Sequence, residues 1–337
     1  MNAKRIMHSV LYSLVIATVF SFSSSAQAGQ PAVTLKAATN NPKSSGHYQG
    51  LLIFKELVES RTNGAIAVEL YSDAVLGDEE QMAEGMQMGT VDVMMAASAK
   101  YANFVKEMDI YSPPYTFNSW DHLKKVLASD VNKELEKKVL ETTGDYYLGC
   151  LTDGVRNIFT RSEIKNVDGL KGIKLRTMTG PNETLAFKAL GVNPTPMAYT
   201  ELYSALQTGV IDGAENSMTS ILGMKFFESC KYILRTKHCY LTLPFFISGI
   251  AVNKLPAEYR DIVIQAGRDT CARQIDEAIA LDMENEKVLV NQQGVKITEL
   301  TPEDHQRAID MVAPVLDTNA KRIGMTGALA KIRAMAK

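Results

Sequence analysis

Arg176 closes a short segment, Ile173-Lys174-Leu175-Arg176, in which apolar and basic residues alternate with the period of a β-strand. A guanidinium presents a planar fork of donors that matches both oxygens of a carboxylate. Residues 182–190 then read as a helix ended by Gly191, Glu201–Thr208 as a second helix stopped by Gly209, and Val210-Ile211 as the start of another buried strand. A strand–helix–strand unit with an Arg at the end of its first strand is where open α/β sheets bind ligands, so Arg176 is a candidate carboxylate clamp. Spacing alone also allows a solvated surface Arg on an ordinary βαβ unit. Asn40 follows an earlier alternation, Val33, Leu35 and Ala37, at the equivalent place for a ligand-facing side chain, and Ala96-Ala97-Ser98-Ala99-Lys100 follows a strand predicted at Val91–Met95. Lys100 is either a second contact or a solvated lysine.

Other chemistries find little support. The chain carries no G-x-S-x-G, H-E-x-x-H or G-x-G-x-x-G motif. Its histidines outside the leader, His47, His122, His238 and His305, show no metal-ligand spacing, so neither cofactor nor metal is expected. An isomerase or lyase using Lys100 or Tyr199 is the enzymatic alternative. The formal net charge is −2 with no basic block, which argues against a nucleic-acid partner.

The elements that must position these residues follow from the same patterning. A chain of 337 residues exceeds what one hydrophobic core usually supports, so two lobes are expected. The order strand (33–38), helix (51–60), strand (66–70), helix (79–88), strand (91–95) argues for a doubly wound, mainly parallel α/β sheet. Trp120–Leu140 reads as a helix, Leu148–Leu151 as a strand, and Asp153-Gly154-Val155-Arg156 as a turn into a second lobe. Gln87-Met88-Gly89-Thr90-Val91-Asp92 and Gln207-Thr208-Gly209-Val210-Ile211-Asp212 echo one another where a helix closes and a strand opens, the mark of two similarly built lobes. The apolar run Leu241–Val252 reads as the return into the first lobe. From Pro256 to Gln292 no further Pro interrupts a helical spacing, which predicts a helix of about 35 residues, long enough to run past both lobes.

Lys4 and Arg5, the apolar run Val10–Phe20 and the small-x-small site Ala26-Gln27-Ala28 form a leader peptide, residues 1–28, with the mature chain starting near Gly29. Export places Cys150, Cys230, Cys239 and Cys271 in an oxidising compartment, where Cys230 and Cys239 make the favoured of three possible pairings.

Residues 169–216 resemble the signature region of the DctP-type solute-binding proteins of TRAP (tripartite ATP-independent periplasmic) transporters. The matching segments are Gly172-Ile173-Lys174-Leu175-Arg176, Leu190-Gly191-Val192-Asn193-Pro194-Thr195-Pro196-Met197 and the stretch from Glu201-Leu202-Tyr203 to Asp212-Gly213-Ala214-Glu215-Asn216. The resemblance covers the whole mature chain. It implies a two-lobed periplasmic-binding-protein (Venus flytrap) α/β fold with a long lobe-spanning helix, with lobe I at 29–153 plus 242–281 and lobe II at 154–241 plus 282–337. It places Asn216 beside the Arg176 clamp, Arg156 as a second basic residue at the lobe junction, and Tyr199 as a ring against the ligand. As ordinary residues these would be a turn amide, a hinge ion pair and a core aromatic. Sialic-acid binders of the family carry Glu where Ala97 stands and Arg where Lys100 stands, so sialic acid is not implied. What is implied is a monomeric receptor for a small organic acid, a uronate or aldonate before a C4-dicarboxylate, working with small and large integral membrane subunits and an ion gradient.

Overall fold

The computed structural model describes residues 31–336, so the leader and its cleavage site lie outside the described residues. Its strands are β1 (Val33–Ala38), β2 (Ile66–Tyr71), β3 (Val93–Met95), β4 (Tyr146–Leu151), β5 (Val155–Thr160) and β6 (Lys174–Thr177). They continue with β7 (Asn193–Pro196), β8 (Gly213–Asn216), β9 (Tyr232–Tyr240), β10 (Leu243–Ile247) and β11 (Lys296–Glu299). Two sheets result, ordered β2-β1-β3-β10-β4 and β11-β9-β5-β8-β6-β7. Each is the floor of one lobe. Both sheets are mixed rather than mainly parallel: β10 runs antiparallel to β3 and β4, and β5 antiparallel to β8 and β9. The reason lies in the connections, because β5 and β10 arrive from the other sheet. The chain crosses through Thr152–Gly154 and returns through Leu241–Thr242, and Leu241 N–H donates to the Gly154 carbonyl between the two crossings (3.3 Å).

The repeated six-residue segment is repeated in three dimensions. Gly89 and Gly209 both end their helices in the left-handed region, at φ 71° and 74°, which a residue without Cβ adopts freely. Asp92 N–H donates to the Lys36 carbonyl and its Oδ2 accepts from Lys36 N–H at 2.8 Å; Asp212 does the same with Lys174, accepting at 2.9 Å. Each Asp stitches the start of a central strand to its parallel neighbour, one in each lobe. The strand after Gly209 begins at Gly213 rather than at Val210, which is exposed, because Asp212 is spent on that stitch.

Helix α1 (Gly46–Arg61) is capped by Ser45, and α2 (Glu79–Met88) by an Asp78–Gln81 capping box. Further on lie α3 (Pro181–Ala189), α4 (Met218–Gly223) and α5 (Ala257–Asn291), the last of 35 residues. Gly267 of α5 packs on Leu148 of the first sheet, whereas Leu289 sits in the second lobe's core with Phe159 and Phe226. Between them Gln274 accepts from Thr152 N–H and donates to the Thr152 and Gly46 carbonyls, so the helix is pinned at the crossing itself. Helices α6 (Pro302–Ile323) and α7 (Thr326–Met335) close the chain. Among the described residues no helix is long and apolar enough to cross a membrane.

Three further sequence expectations are corrected. The helix predicted over 120–140 is two helices, broken where Ser129 caps the second. The Asp153–Arg156 turn ends at Gly154 (φ 120°), and Val155 and Arg156 already belong to β5. Cys230 and Cys239 form no disulfide; all four cysteines are free. Most of β9 lies between those two, and a strand of that length separates its ends by roughly 20 Å, against the ~7 Å limit between bridged Cα atoms.

Candidate functional site

The carboxyl ends of β1, β3, β6 and β8 converge on one cavity between the lobes. Asn40, Asn41, His47, Glu79 and Ala97 line it from the first lobe; Arg156, Arg176, Met178, Tyr199, Asn216 and Ser220 line it from the second, and Leu241 and Leu243 from the returning crossing. Five of the six residues singled out in the sequence, Asn40, Arg156, Arg176, Tyr199 and Asn216, therefore face one space.

Arg176 is almost wholly buried, at 1% exposure. Its Nε and Nη2 donate to the Met197 carbonyl at 3.2 and 2.9 Å, and its guanidinium carbon stands 5.9 Å from the centre of the Tyr199 ring. Among the described residues no carboxylate forms an ion pair with it. Burial lowers its pKa, opposed by the nearby charge of Glu215. A buried guanidinium held by one carbonyl and one ring face, with donors left over, is a strong anion receptor.

Arg156 is differently placed. Its Nε and Nη2 grip both oxygens of Glu215, Nη2 also donates to the Glu215 carbonyl (2.7 Å), and Nη1 donates to Asn216 Oδ1 (2.8 Å). All three residues are buried. His238 Nε2 lies 3.2 Å from the same carboxylate. Burial works to raise the Glu215 pKa, but Arg156 and His238 overcome it and hold the group down at about 2. Glu183, on α3, is buried with one carboxyl oxygen unpartnered. Burial, reinforced by Glu215, pushes its pKa well above the usual carboxylate range. The second-lobe wall thus carries one neutralised guanidinium and one that is not.

Asn40 accepts from Asn41 Nδ2 (2.8 Å), which fixes the amides at the end of β1. Beneath the cavity, Asp153 accepts from Gly46 N–H (2.9 Å), Ser217 Oγ (2.7 Å) and Ser220 Oγ (2.6 Å), tying the start of α1 to the start of α4 across the lobes. Burial acts to raise the Asp153 pKa, yet its His47 and serine partners bring it below the ordinary value. The Tyr199 hydroxyl is buried without a hydrogen-bond partner, and His47 Nδ1 stands 3.6 Å from Asp153 Oδ1; both residues belong to the cavity wall.

Lys100 is not brought to this cavity. It is buried on a short helix after β3, and its Nζ pairs with Glu80 at 3.4 Å. Glu80 also accepts from Asn103 Nδ2 and, across the lobes, from Thr179 Oγ1 (3.0 Å). A lysine next to a ligand-facing alanine is drawn instead to the acidic residue that the α2 turn presents. Sequence reasoning passed over Glu79, Asn41 and Ser220. The first-turn position of Glu79 beside a capping Asp resembles a helix-dipole residue, which hides its place on the wall. Among the described residues no group of three or more His, Cys, Asp or Glu could hold a metal ion.

Comparisons with known proteins agree with this fold. The model of a family described as DctP, bacterial extracellular solute-binding protein, family 7, matches residues 37–322. The chain is 31% identical over 324 residues to the C4-dicarboxylate-binding periplasmic protein DctP of Rhodobacter capsulatus, covering 94% of this chain and 95% of that one. A TRAP periplasmic solute-binding protein from Sulfitobacter sp., solved with bound α-D-taluronate, superposes with a TM-score of 0.84 at 30% identity, over 89% of this chain and 97% of that one. A sugar-acid-binding protein from Advenella mimigardefordensis in complex with galactonate gives a TM-score of 0.85 at 27% identity, over 91% and 99%.

Proposed function

From the premise that this chain belongs to the DctP family of bacterial extracellular solute-binding proteins, we propose that it is the extracytoplasmic receptor of a TRAP transporter and takes a hydroxylated organic acid, a uronate or aldonate, by its carboxylate on Arg176. The observation that carries this reading is the buried Arg176 guanidinium, which faces the cavity and pairs with no carboxylate among the described residues. Asn216 stands beside it with its Oδ1 already accepting from Arg156. Tyr199 brings an unpartnered hydroxyl to the same wall.

The lobes divide at the crossings, with 29–153 plus 242–281 as lobe I and 154–241 plus 282–337 as lobe II. The anion docks on Arg176, the lobes close, and exclusion of water strengthens the pair. The leader is removed near Ala28, the mature monomer works in the periplasm, and small and large membrane subunits accept the solute for uptake driven by an ion gradient. The solute is released unchanged. A C4-dicarboxylate is the second reading, favoured by what the Rhodobacter capsulatus relative is named for.

A thermal-shift screen of the mature chain, from Gly29, against sugar acids, dicarboxylates and their uncharged analogues tests the reading. Ligand at about 100 times its Kd adds about 2.7 kcal/mol, a rise of several degrees. A shift with an acid, absent for its neutral analogue and absent in Arg176→Lys, is the expected result. Binding that survives Arg176→Lys at full affinity overturns the clamp, because that variant keeps the charge and loses the fork.

A further inference from the structure

The cavity has two walls of opposite chemistry, and the acidic one says what the rest of the ligand must be. Glu79 is the only carboxylate among the described lining residues. It is 9% exposed, and its Oε1 accepts from Ala97 N–H at 2.7 Å, which fixes the carboxylate against the end of β3. Among the described residues no other hydrogen bond is made to its second oxygen. Its charge reaches across to Arg176, where it favours the protonated guanidinium. On the basis of the proposed function above, we infer that Glu79 is a specificity-determining residue: it accepts a hydroxyl of the bound acid and turns away any ligand with a second carboxylate.

The chemistry is that of an ionised carboxylate, which accepts hydrogen bonds and cannot donate them. A ligand hydroxyl delivers a proton to it in a charge-assisted bond, stronger than a neutral one. A second ligand carboxylate offers no proton and meets a like charge in a water-poor space, which is costly. The two cations that could compensate are both engaged. Arg156 is neutralised by Glu215, and Lys100 is turned outward to Glu80. One free guanidinium and one fixed carboxylate therefore suit a ligand with one carboxylate and a donor further along its chain. That is the pattern of an aldonate or uronate, not of succinate or malate.

Isothermal titration of the mature chain separates the outcomes, with gluconate, galactonate, glucuronate and galacturonate as hydroxylated monocarboxylates and succinate and malate as dicarboxylates. In the unaltered protein at least one sugar acid binds, and both dicarboxylates bind at least 100-fold more weakly. Glu79→Gln keeps an acceptor for Ala97 N–H, so the fold is retained. It weakens the sugar acid about 10- to 100-fold, as loss of a charged acceptor does, and tightens the dicarboxylates, so the gap closes. The inference is overturned if the unaltered protein prefers a dicarboxylate, or if Glu79→Gln weakens both classes equally. In either case the carboxylate reading of Arg176 stands. If no acid of either class binds and Arg176→Ala changes nothing, the proposed function itself fails and this inference with it.

Discussion

Arg156 and Glu215 form a buried bidentate pair, and that pair decides which of the two cavity guanidinium groups is left for an anion. Both groups line one space, yet only Arg176 reaches it without a carboxylate partner among the described residues. The pair thus works as scaffold, with Asn216 held by the same Arg156.

Removing one side of this pair strands the other charge in the protein interior. Glu215→Ala should lower the unfolding free energy by about 3–5 kcal/mol, read from the midpoint and slope of urea denaturation. A loss under about 1 kcal/mol, the range of a surface pair, would contradict it. The Glu215 pKa is depressed in the folded state, so its stabilisation is present above its ordinary value of 4.5 and is lost as pH falls toward about 2.

Tyr199 carries a buried hydroxyl with no partner, which is a cost in the ligand-free protein. Tyr199→Phe keeps the ring over Arg176 and deletes that cost, so the ligand-free melting temperature should hold or rise. Affinity for the acid should fall about 5- to 10-fold, the worth of one neutral hydrogen bond. Unchanged affinity with a lower melting temperature would make Tyr199 a core residue only.

The lobes meet tightly at Gly180, where an added Cβ would lie 2.9 Å from the Ala99 Cβ and 3.2 Å from the Ala99 carbonyl oxygen. Gly180→Val should therefore oppose the closed state while each lobe stays folded. Overpacking of this kind costs about 1–3 kcal/mol, or roughly 5- to 150-fold in affinity. Small-angle scattering should show the variant more expanded than the parent in saturating ligand. Equal scattering profiles and equal affinities would refute the steric reading.

Asp282 of α5 reaches the second lobe, accepting from Thr219 N–H (2.9 Å) and Val155 N–H (3.3 Å). Burial, with Asp153 adding to it, raises its pKa from 3.8 to about 7 in spite of those bonds. An acid with a raised folded-state pKa contributes most below its unfolded value, and that contribution is lost as pH rises toward the folded one. Its share of stability should thus drop by on the order of 4 kcal/mol between about pH 4 and pH 7. Asp282→Asn should gain on the parent protein across that window in pH-dependent denaturation. Two curves running parallel from pH 4 to 8 would rule it out.

The sequence by itself determined what is local. The α2 boundaries and the 35-residue α5 follow from spacing and caps, and the Gln-x-Gly-x-x-Asp echo marks two strands that start alike, because these are set within a few residues of chain. Positions at strand ends put Asn40 and Arg176 where an α/β sheet opens to a ligand, and the family resemblance added Asn216, Arg156 and Tyr199 to the same wall. Only the tertiary structure decided how charges are shared. Glu215 takes Arg156 and Glu80 takes Lys100, while Glu79 stays on the wall and Arg176 is left for a ligand. The first pairing joins residues 59 positions apart and the second 20, and neither partner's spacing encodes the other. The length of β9 likewise parts Cys230 from Cys239, although the chain between them is short. Period and capping are properties of neighbours along the chain, whereas which charge is neutralised depends on which segments the fold brings together, and that is settled only once both lobes and their crossings are in place.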